Sequence, residues 1–314
     1  MKDFLLEIPG NEIPEGAHSG FLVAKGNRRL RYAIFKATSR PLKGTVIILS
    51  GRNEPIEKYF ETIQSLSLRG FGTAIFDWRG QGLSDRELMD PLRGNVTNFD
   101  VYTNDLNQFF TEVALPDCRG PYFILAHSTG ALIALRAAPN LRNRVERMVL
   151  LAPLLQAARI PLSANSVRRL AAVLKLAGFG SAYATGGRWK PTPFERNDVT
   201  SDPERFERNI RLFTSHPRLS VGGPTVRWMH AAAHAARIVA DPDYMARLHI
   251  PILFVAAGAD SVVSTRAIER YARRLRSGHC VTIDGAKHEI LQEKDYYLQQ
   301  FWAAFDAYIP GSTA

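Results

Sequence analysis

The run Leu125-Ala126-His127-Ser128-Thr129-Gly130 sets a serine among small residues, after the apolar run Tyr122 to Ile124 and before the helix-forming run Ala131 to Ala138. A strand that turns sharply into a helix holds such a hydroxyl clear of the sheet, in strained backbone that only small neighbours permit. Ser128 is therefore the candidate nucleophile. The N–H of Thr129, next in the chain, faces an oxyanion formed there. Serine also caps helices in ordinary strand–helix units, and Ala126 stands where the Gly-x-Ser-x-Gly pattern has glycine, which makes the turn tight.

A serine nucleophile needs a general base, and the base needs an acid that orients it and stabilises its charged form. On open parallel sheets with such an elbow the chain order is serine, then acid, then histidine, each after a strand. The run Ile250 to Ala256 leads into Ala257-Gly258-Ala259-Asp260, and Cys280 to Ile283 leads into Asp284-Gly285-Ala286-Lys287-His288. Asp260 and His288 fit the acid and the base. Asp284 lies too close to His288 in sequence to occupy the neighbouring loop, and Asp241 is a further rival. His127, beside the nucleophile on the turn, is poorly placed to take its proton. His18, His249 and His279 are expected to be structural or exposed. His216, His230 and His234 fall in a later helical region, where pocket lining is the expectation. The four-residue spacing of the last two suits a metal, but no acidic ligand or third histidine stands nearby. No metal and no cofactor is expected.

An oxyanion hole takes a second N–H, ordinarily from the loop after the third strand. That loop reads Ser50-Gly51-Arg52-Asn53-Glu54, where Gly51 permits close approach of the backbone and the Arg52 N–H is the expected partner of the Thr129 N–H. The Arg52 side chain reaches the mouth of the site, and two partners are open to it: an ester phosphate held bidentately, or Glu54. A further loop, Asp77-Trp78-Arg79-Gly80-Gln81-Gly82-Leu83-Ser84-Asp85, lacks the Lys-Ser/Thr ending of a phosphate-binding loop. It reads as a tight turn that sets Arg79 under the catalytic loops.

The elements that must carry these residues follow a strand–helix rhythm. Strands are expected at 20–24, 30–36, 45–50, 73–77, 122–126, 147–151, 250–256 and 280–283. Helices are expected at 56–68, 101–113, 131–138, 265–274 and 295–308. Such alternation predicts an α/β fold, a mostly parallel eight-stranded sheet flanked by helices. The rhythm fails once, and residues 153–240 read as an inserted helical cap, or lid, over a core formed by 1–152 and 241–314, where open sheets bind their ligands. Within the cap, Val167, Leu170, Ala171 and Leu174 recur at helical spacing among Arg168, Arg169 and Lys175. Both a core-packed helix and a helix facing an anionic membrane accommodate that pattern.

Of the 314 residues, 46% are hydrophobic, enough for a large core. The net charge is +10, and it concentrates between Arg159 and Arg237, with a net of about +8. No nucleic-acid module or basic stripe with interleaved aromatics accompanies it, so nucleic acid is not an expected partner. Cys118 and Cys280 have no redox or metal spacing. Residues Met1 to Gly20 lack the basic start and apolar stretch of a secretory signal, and no apolar run has the length of a membrane span. A cytoplasmic location follows as the expectation, with peripheral contact to the inner face of an anionic membrane left open.

Taken together, Gly51-Arg52-Asn53-Glu54 with Glu57-Lys58-Tyr59, Asp77-Trp78-Arg79-Gly80-Gln81-Gly82, His127-Ser128-Thr129-Gly130, Thr200-Ser201-Asp202-Pro203-Glu204-Arg205 and Gly222-Gly223-Pro224-Thr225 with Trp228 resemble one family over nearly the whole chain. It is the lysophospholipase L2 and monoacylglycerol-lipase-like branch of the α/β-hydrolases. The resemblance implies hydrolysis of a carboxylic ester of a single-acyl glycerolipid through an acyl-enzyme on Ser128, without a cofactor. A general esterase or monoacylglycerol lipase, a carbon–carbon hydrolase or perhydrolase, and a ligand-binding protein of the same fold are the alternatives. Serine at position 128, rather than aspartate, speaks against dehalogenation. Leu154, Leu155, Phe179, Trp189, Phe194 and Trp228 are candidates to cover an acyl chain, or to form the core of the cap.

Overall fold

A computed structural model describes residues 4–158 and 164–311. Arg159, where the basic stretch begins, and the chain's first three residues lie outside the described residues. Eight strands form one sheet: β1 (Ala17–Ala24), β2 (Arg28–Phe35), β3 (Gly44–Leu49), β4 (Phe71–Phe76), β5 (Tyr122–His127), β6 (Arg147–Leu151), β7 (Ile252–Ala257) and β8 (Gly278–Ile283). The helices, in chain order, are α1 (Phe60–Leu68), α2 (Phe99–Phe109), α3 (Leu115–Asp117), α4 (Thr129–Leu141), α5 (Ala164–Leu176), α6 (Pro203–Ser215), α7 (Val226–Val239), α8 (Pro242–Met245), α9 (Thr265–Arg274) and α10 (Asp295–Tyr308). The spatial order is β1-β2-β4-β3-β5-β6-β7-β8. The β1–β2 and β2–β4 pairs are antiparallel and every other pair is parallel.

The central strands are apolar throughout because both faces are covered. Ile47, Leu49, Ile124, Ala126, Leu150, Phe254 and Ala256 face one apolar cluster, shared with residues of α2, α4, α7 and α9. Their chain neighbours Val46, Ile48, Phe123, Leu125, Val149 and Val255 face the other, shared with α1 and α10. Period-2 alternation thus separates two cores rather than a core from solvent. Ala126 belongs to the first of these cores and is buried, so the extra methyl on the turn fills core space.

All eight expected strands form, and β1 starts three residues earlier than its apolar pattern because the hairpin with β2 pairs from Ala17↔Phe35 to Ala24↔Arg28. Backbone pairing carried the strand through His18 and Ser19, which no apolar pattern marks. Between β6 and β7 the chain leaves the sheet for α5, α6, α7 and α8. Helix α7 is rich in alanine and packs Ala231, Ala232, Ala235 and Ala236 into the same apolar cluster as α4.

The loops after β3, β5, β7 and β8 all leave the C-terminal edge of the parallel strands. Because β4 and β5 flank β3 on opposite sides, the β3 and β5 loops open a crevice there, the place where α/β sheets bind ligands.

Candidate active site

Ser128 sits between β5 and α4 with φ 51° and ψ −111°. A non-glycine residue held there costs about 1–3 kcal/mol, so its surroundings must over-determine it. They do so by hydrogen bonds: the Ser128 N–H donates to Leu151 O at 2.9 Å, while its carbonyl accepts from the N–H groups of Leu132 at 3.2 Å and Leu154 at 3.1 Å. Gly130 makes the turn possible. A Cβ at that position would fall 2.1 Å from the Leu49 carbonyl oxygen and 2.5 Å from that of Ser50.

The three residues separated in sequence converge. His288 Nε2 lies 3.0 Å from Ser128 Oγ, and its Nδ1 lies 2.8 Å from Asp260 Oδ2. A carboxylate only accepts, so Nδ1 carries the proton and Nε2 presents a lone pair to the serine hydroxyl. The other Asp260 oxygen accepts from the amides of Val262 at 2.7 Å and Val263 at 2.9 Å, which fixes the carboxylate. Asp284 is exposed, and Asp241 caps α8 by accepting from the amides of Asp243 and Tyr244.

Thr129 is the first residue of α4, where an amide has no acceptor within the helix. Arg52 and Thr129 both line the cavity above Ser128. The β3 loop is held from three sides. Glu54 accepts from the Gly51 amide, Gln81 Oε1 accepts from the Asn53 amide at 2.6 Å, and Trp78 Nε1 donates to Ser50 O at 2.8 Å. Arg79 is not under the catalytic loops: its guanidinium binds Asp105 of α2 at 2.7 and 3.0 Å. Asp105 offers a carboxylate on the core side of the turn, and the neighbours Trp78 and Gln81 support the loop instead.

A cluster of charges that sequence reasoning missed lies behind the triad. Glu54 accepts from Lys58 Nζ at 3.0 Å, Tyr59 Oη at 2.7 Å and His127 Nδ1 at 3.1 Å. Lys58 also pairs with Glu289 at 2.6 Å, and His127 Nε2 reaches the His288 carbonyl at 3.0 Å. Burial raises the Glu54 pKa, but the charges of His127 and Lys58 outweigh it and hold the carboxyl well below its usual range. Burial lowers that of His127, and Glu54 more than offsets it, leaving the imidazole raised. The signals were the four-residue spacing of Glu54 and Lys58 at a helix start and a histidine directly before the nucleophile.

The cavity measures about 370 Å³ and has an apolar majority of lining residues, including Leu154, Leu155, Val167, Trp228, Met229 and Val262. Of the residues expected to cover an acyl chain or to form the core of the cap, Leu154, Leu155 and Trp228 line this cavity. Phe179 does not line it, being 58% exposed in the short turn that follows α5. Trp189 packs on Phe213 in a separate small cluster, and Phe194 packs on Phe206; in both cases an aromatic partner on α6 pulls the ring away from the cavity. His216, His230 and His234 do not line it either. His230 and His234 are partly buried on a face of α7 turned toward Lys175, Arg168 and Arg237. No group of three metal-ligating side chains occurs among the described residues. Arg52 does not pair with Glu54, whose oxygens are occupied by four other donors.

Known proteins resemble this chain in sequence and in fold. The family described as serine aminopeptidase, S33, matches residues 40–295. Lysophospholipase L2 of Escherichia coli is 34% identical over 261 residues, covering 80% of this chain and 75% of the relative. The probable lysophospholipase L2 of Haemophilus influenzae is 28% identical over 278 residues, 88% of this chain and 86% of its own length. The solved monoglyceride lipase of Saccharomyces cerevisiae superposes with a TM-score of 0.73 at 18% identity, covering 97% of this chain and 98% of that one; at that identity the likeness speaks for the fold. The chain belongs to the α/β-hydrolase family described as serine aminopeptidase, S33, as a member similar to lysophospholipase L2 and the monoglyceride lipases.

Proposed function

We propose that the protein is a serine hydrolase that cleaves the carboxylic ester of a single-acyl glycerolipid, with Ser128, His288 and Asp260 as its catalytic residues. The observation that carries this reading is His288, hydrogen-bonded to Asp260 through one ring nitrogen and to Ser128 through the other, at the floor of an apolar cavity. Ser128 Oγ attacks the acyl carbonyl as its proton passes to His288 Nε2. The resulting oxyanion accepts from the amides of Arg52 and Thr129. His288 then protonates the leaving glycerol oxygen, and water, deprotonated by the same imidazole, releases the fatty acid from Ser128.

The lining of the cavity favours an ester over the N-terminus of a peptide. A free α-ammonium group needs an uncommitted carboxylate, and the lining carboxylates are both paired, Glu54 with Lys58 and His127 and Glu289 with Lys58. Residues 153–240 act in this reading as the cap, roofing the acyl chain with Leu154, Leu155, Val167, Trp228 and Met229. Helix α5 turns Val167 into the cavity and buries Ala171, while Leu170, Val173 and Leu176 are exposed beside Arg168, Arg169 and Lys175. That face suits peripheral contact with an anionic lipid surface. No helix among the described residues is long and apolar enough to cross a membrane.

The test is fatty-acid release from a lysophospholipid and a monoacylglycerol of matched chain length, together with labelling by a fluorophosphonate. Wild-type protein is expected to label and to release fatty acid, and Ser128→Ala to do neither. A folded wild-type protein that neither labels nor cleaves any ester is a ligand-binding member of the fold, and the proposal fails.

A further inference from the structure

We infer that the Arg52 guanidinium binds the phosphate of the substrate headgroup and thereby selects lysophospholipid over neutral monoacylglycerol; the inference rests on the ester-hydrolase reading above. Arg52 lines the same cavity as Ser128 and His288. Its side chain is largely desolvated: burial lowers its pKa, and the charges of Tyr102 and Glu54 offset this only in part. Yet it has no carboxylate at ion-pair distance among the described residues. Its hydrogen-bond acceptor there is the Gly222 carbonyl, reached from Nη1, and its Cζ stands 6.0 Å from the ring centre of Trp228. Glu54, the acid nearest in sequence, is taken by Gly51, Lys58, Tyr59 and His127. A cation withdrawn from water calls for an anion, and Arg52 lines the cavity into which the substrate would bring one.

Covalent geometry puts the phosphate within reach. In the proposed oxyanion hole the Arg52 amide donates to the oxygen of the acyl carbonyl. In a 1-acyl glycerophospholipid the carbonyl carbon and the phosphorus are separated by as many bonds as separate the backbone nitrogen and Cζ in arginine. One residue thus spans both ends of the headgroup, with its amide at the reacting ester and its fork at the phosphate, where a bidentate pair gives both affinity and register.

The experiment compares kcat/KM for lysophosphatidylglycerol and for monoacylglycerol of the same acyl chain, in wild type, Arg52→Gln and Arg52→Lys. Wild type is expected to prefer the phospholipid. Whatever Arg52→Gln does to turnover overall, the ratio of the two values is expected to fall by roughly tenfold to a hundredfold, mainly through KM for the phospholipid, with Arg52→Lys in between. Fluorophosphonate labelling of each variant reports whether Ser128 and His288 remain assembled. A wild-type enzyme that cleaves both esters equally, or a ratio that Arg52→Gln leaves unchanged in a labelling-competent protein, overturns the inference but not the hydrolase reading. Inorganic phosphate that competes with monoacylglycerol in wild type and not in Arg52→Gln, without any phospholipid preference, assigns the guanidinium to a free anion and also overturns it. Failure of wild type to cleave either ester removes the underlying reading instead.

Discussion

His127 Nε2 donates to the carbonyl oxygen of His288 at 3.0 Å, so the histidine beside Ser128 holds the backbone of the histidine that is hydrogen-bonded to Ser128 Oγ. A carbonyl accepts only, and Glu54 on the other side of the ring is a carboxylate. Both ring nitrogens therefore donate, and the doubly protonated imidazolium is the form that satisfies both. His127 is a positioning residue in this arrangement. Replacing it with leucine is expected to lower kcat by roughly tenfold to a hundredfold with little change in KM. His127→Gln, which can still donate to the carbonyl, should recover part of the loss. Steady-state kinetics on a monoacylglycerol read this, and an unchanged kcat in a folded His127→Leu enzyme would sink the assignment.

The same pair makes stability depend on pH in a definite direction. His127 is raised above 6.5, so its contribution is complete below 6.5 and is lost as pH rises through its native value. Glu54 is held below 4.5, so its contribution is complete above 4.5 and is lost as pH falls through its native value. The interaction is thus at full strength between those two values. In urea unfolding, the stability advantage of wild type over His127→Gln is expected to be largest near pH ~5.5 and to shrink toward pH ~9 and toward pH ~3. An advantage that stays flat across that range contradicts the ion pair.

The sequence showed its triad because each member follows a strand, and strands on a doubly covered sheet are short apolar runs. Ser128, Asp260 and His288 needed only order and spacing. The charged cluster was illegible for the opposite reason. Glu54, Lys58, Tyr59 and Glu289 are residue types that ordinarily face water, and only the meeting of the β3, β5 and β8 loops commits them to each other. The cavity lining failed at Phe179 and Trp189 on similar grounds, since helical spacing tells which residues share a face but not which neighbour that face meets. On α5 it marked Val167, Leu170, Ala171 and Leu174 as one side, whereas Leu170 is exposed and Ala171 buried.

Gly130 is a packing requirement of the elbow rather than a flexible residue. With an added Cβ only 2.1 Å from a backbone oxygen of β3, the strand or the turn must move. Gly130→Ala is expected to cost about 2 kcal/mol or more and to abolish fluorophosphonate labelling even where the protein remains folded. Thermal melts alongside labelling separate the two effects, and a variant that labels at the wild-type rate refutes the requirement.

Arg31, Glu57 and Asp77 form a fully buried ion cluster under the β3 loop. Arg31 binds Glu57 through both Nη atoms and Asp77 at 2.7 Å, and Asp77 also accepts from the amides of Ile56 and Leu83. Removing one charge strands the others in a dry site. Arg31→Met is expected to destabilise by about 3–5 kcal/mol, whereas an apolar replacement of all three is expected to cost less than Arg31→Met alone. Denaturant midpoints of the single and triple variants decide this.

Helix α5 presents Leu170, Val173 and Leu176 to solvent beside Arg168, Arg169 and Lys175, and Phe179 follows it, 58% exposed. The same helix supplies Val167 to the cavity, so a lipid surface meeting α5 would stand at the cavity's own wall. Apolar burial and attraction to anionic headgroups then act together. Wild-type protein is expected to sediment with phosphatidylglycerol vesicles far more than with phosphatidylcholine vesicles, and added salt is expected to reduce that binding. Leu170→Asp with Phe179→Asp should abolish it while leaving hydrolysis of a short soluble ester within about twofold, because neither side chain lines the cavity. Equal binding of the wild type and the double variant would show that α5 is not the docking face.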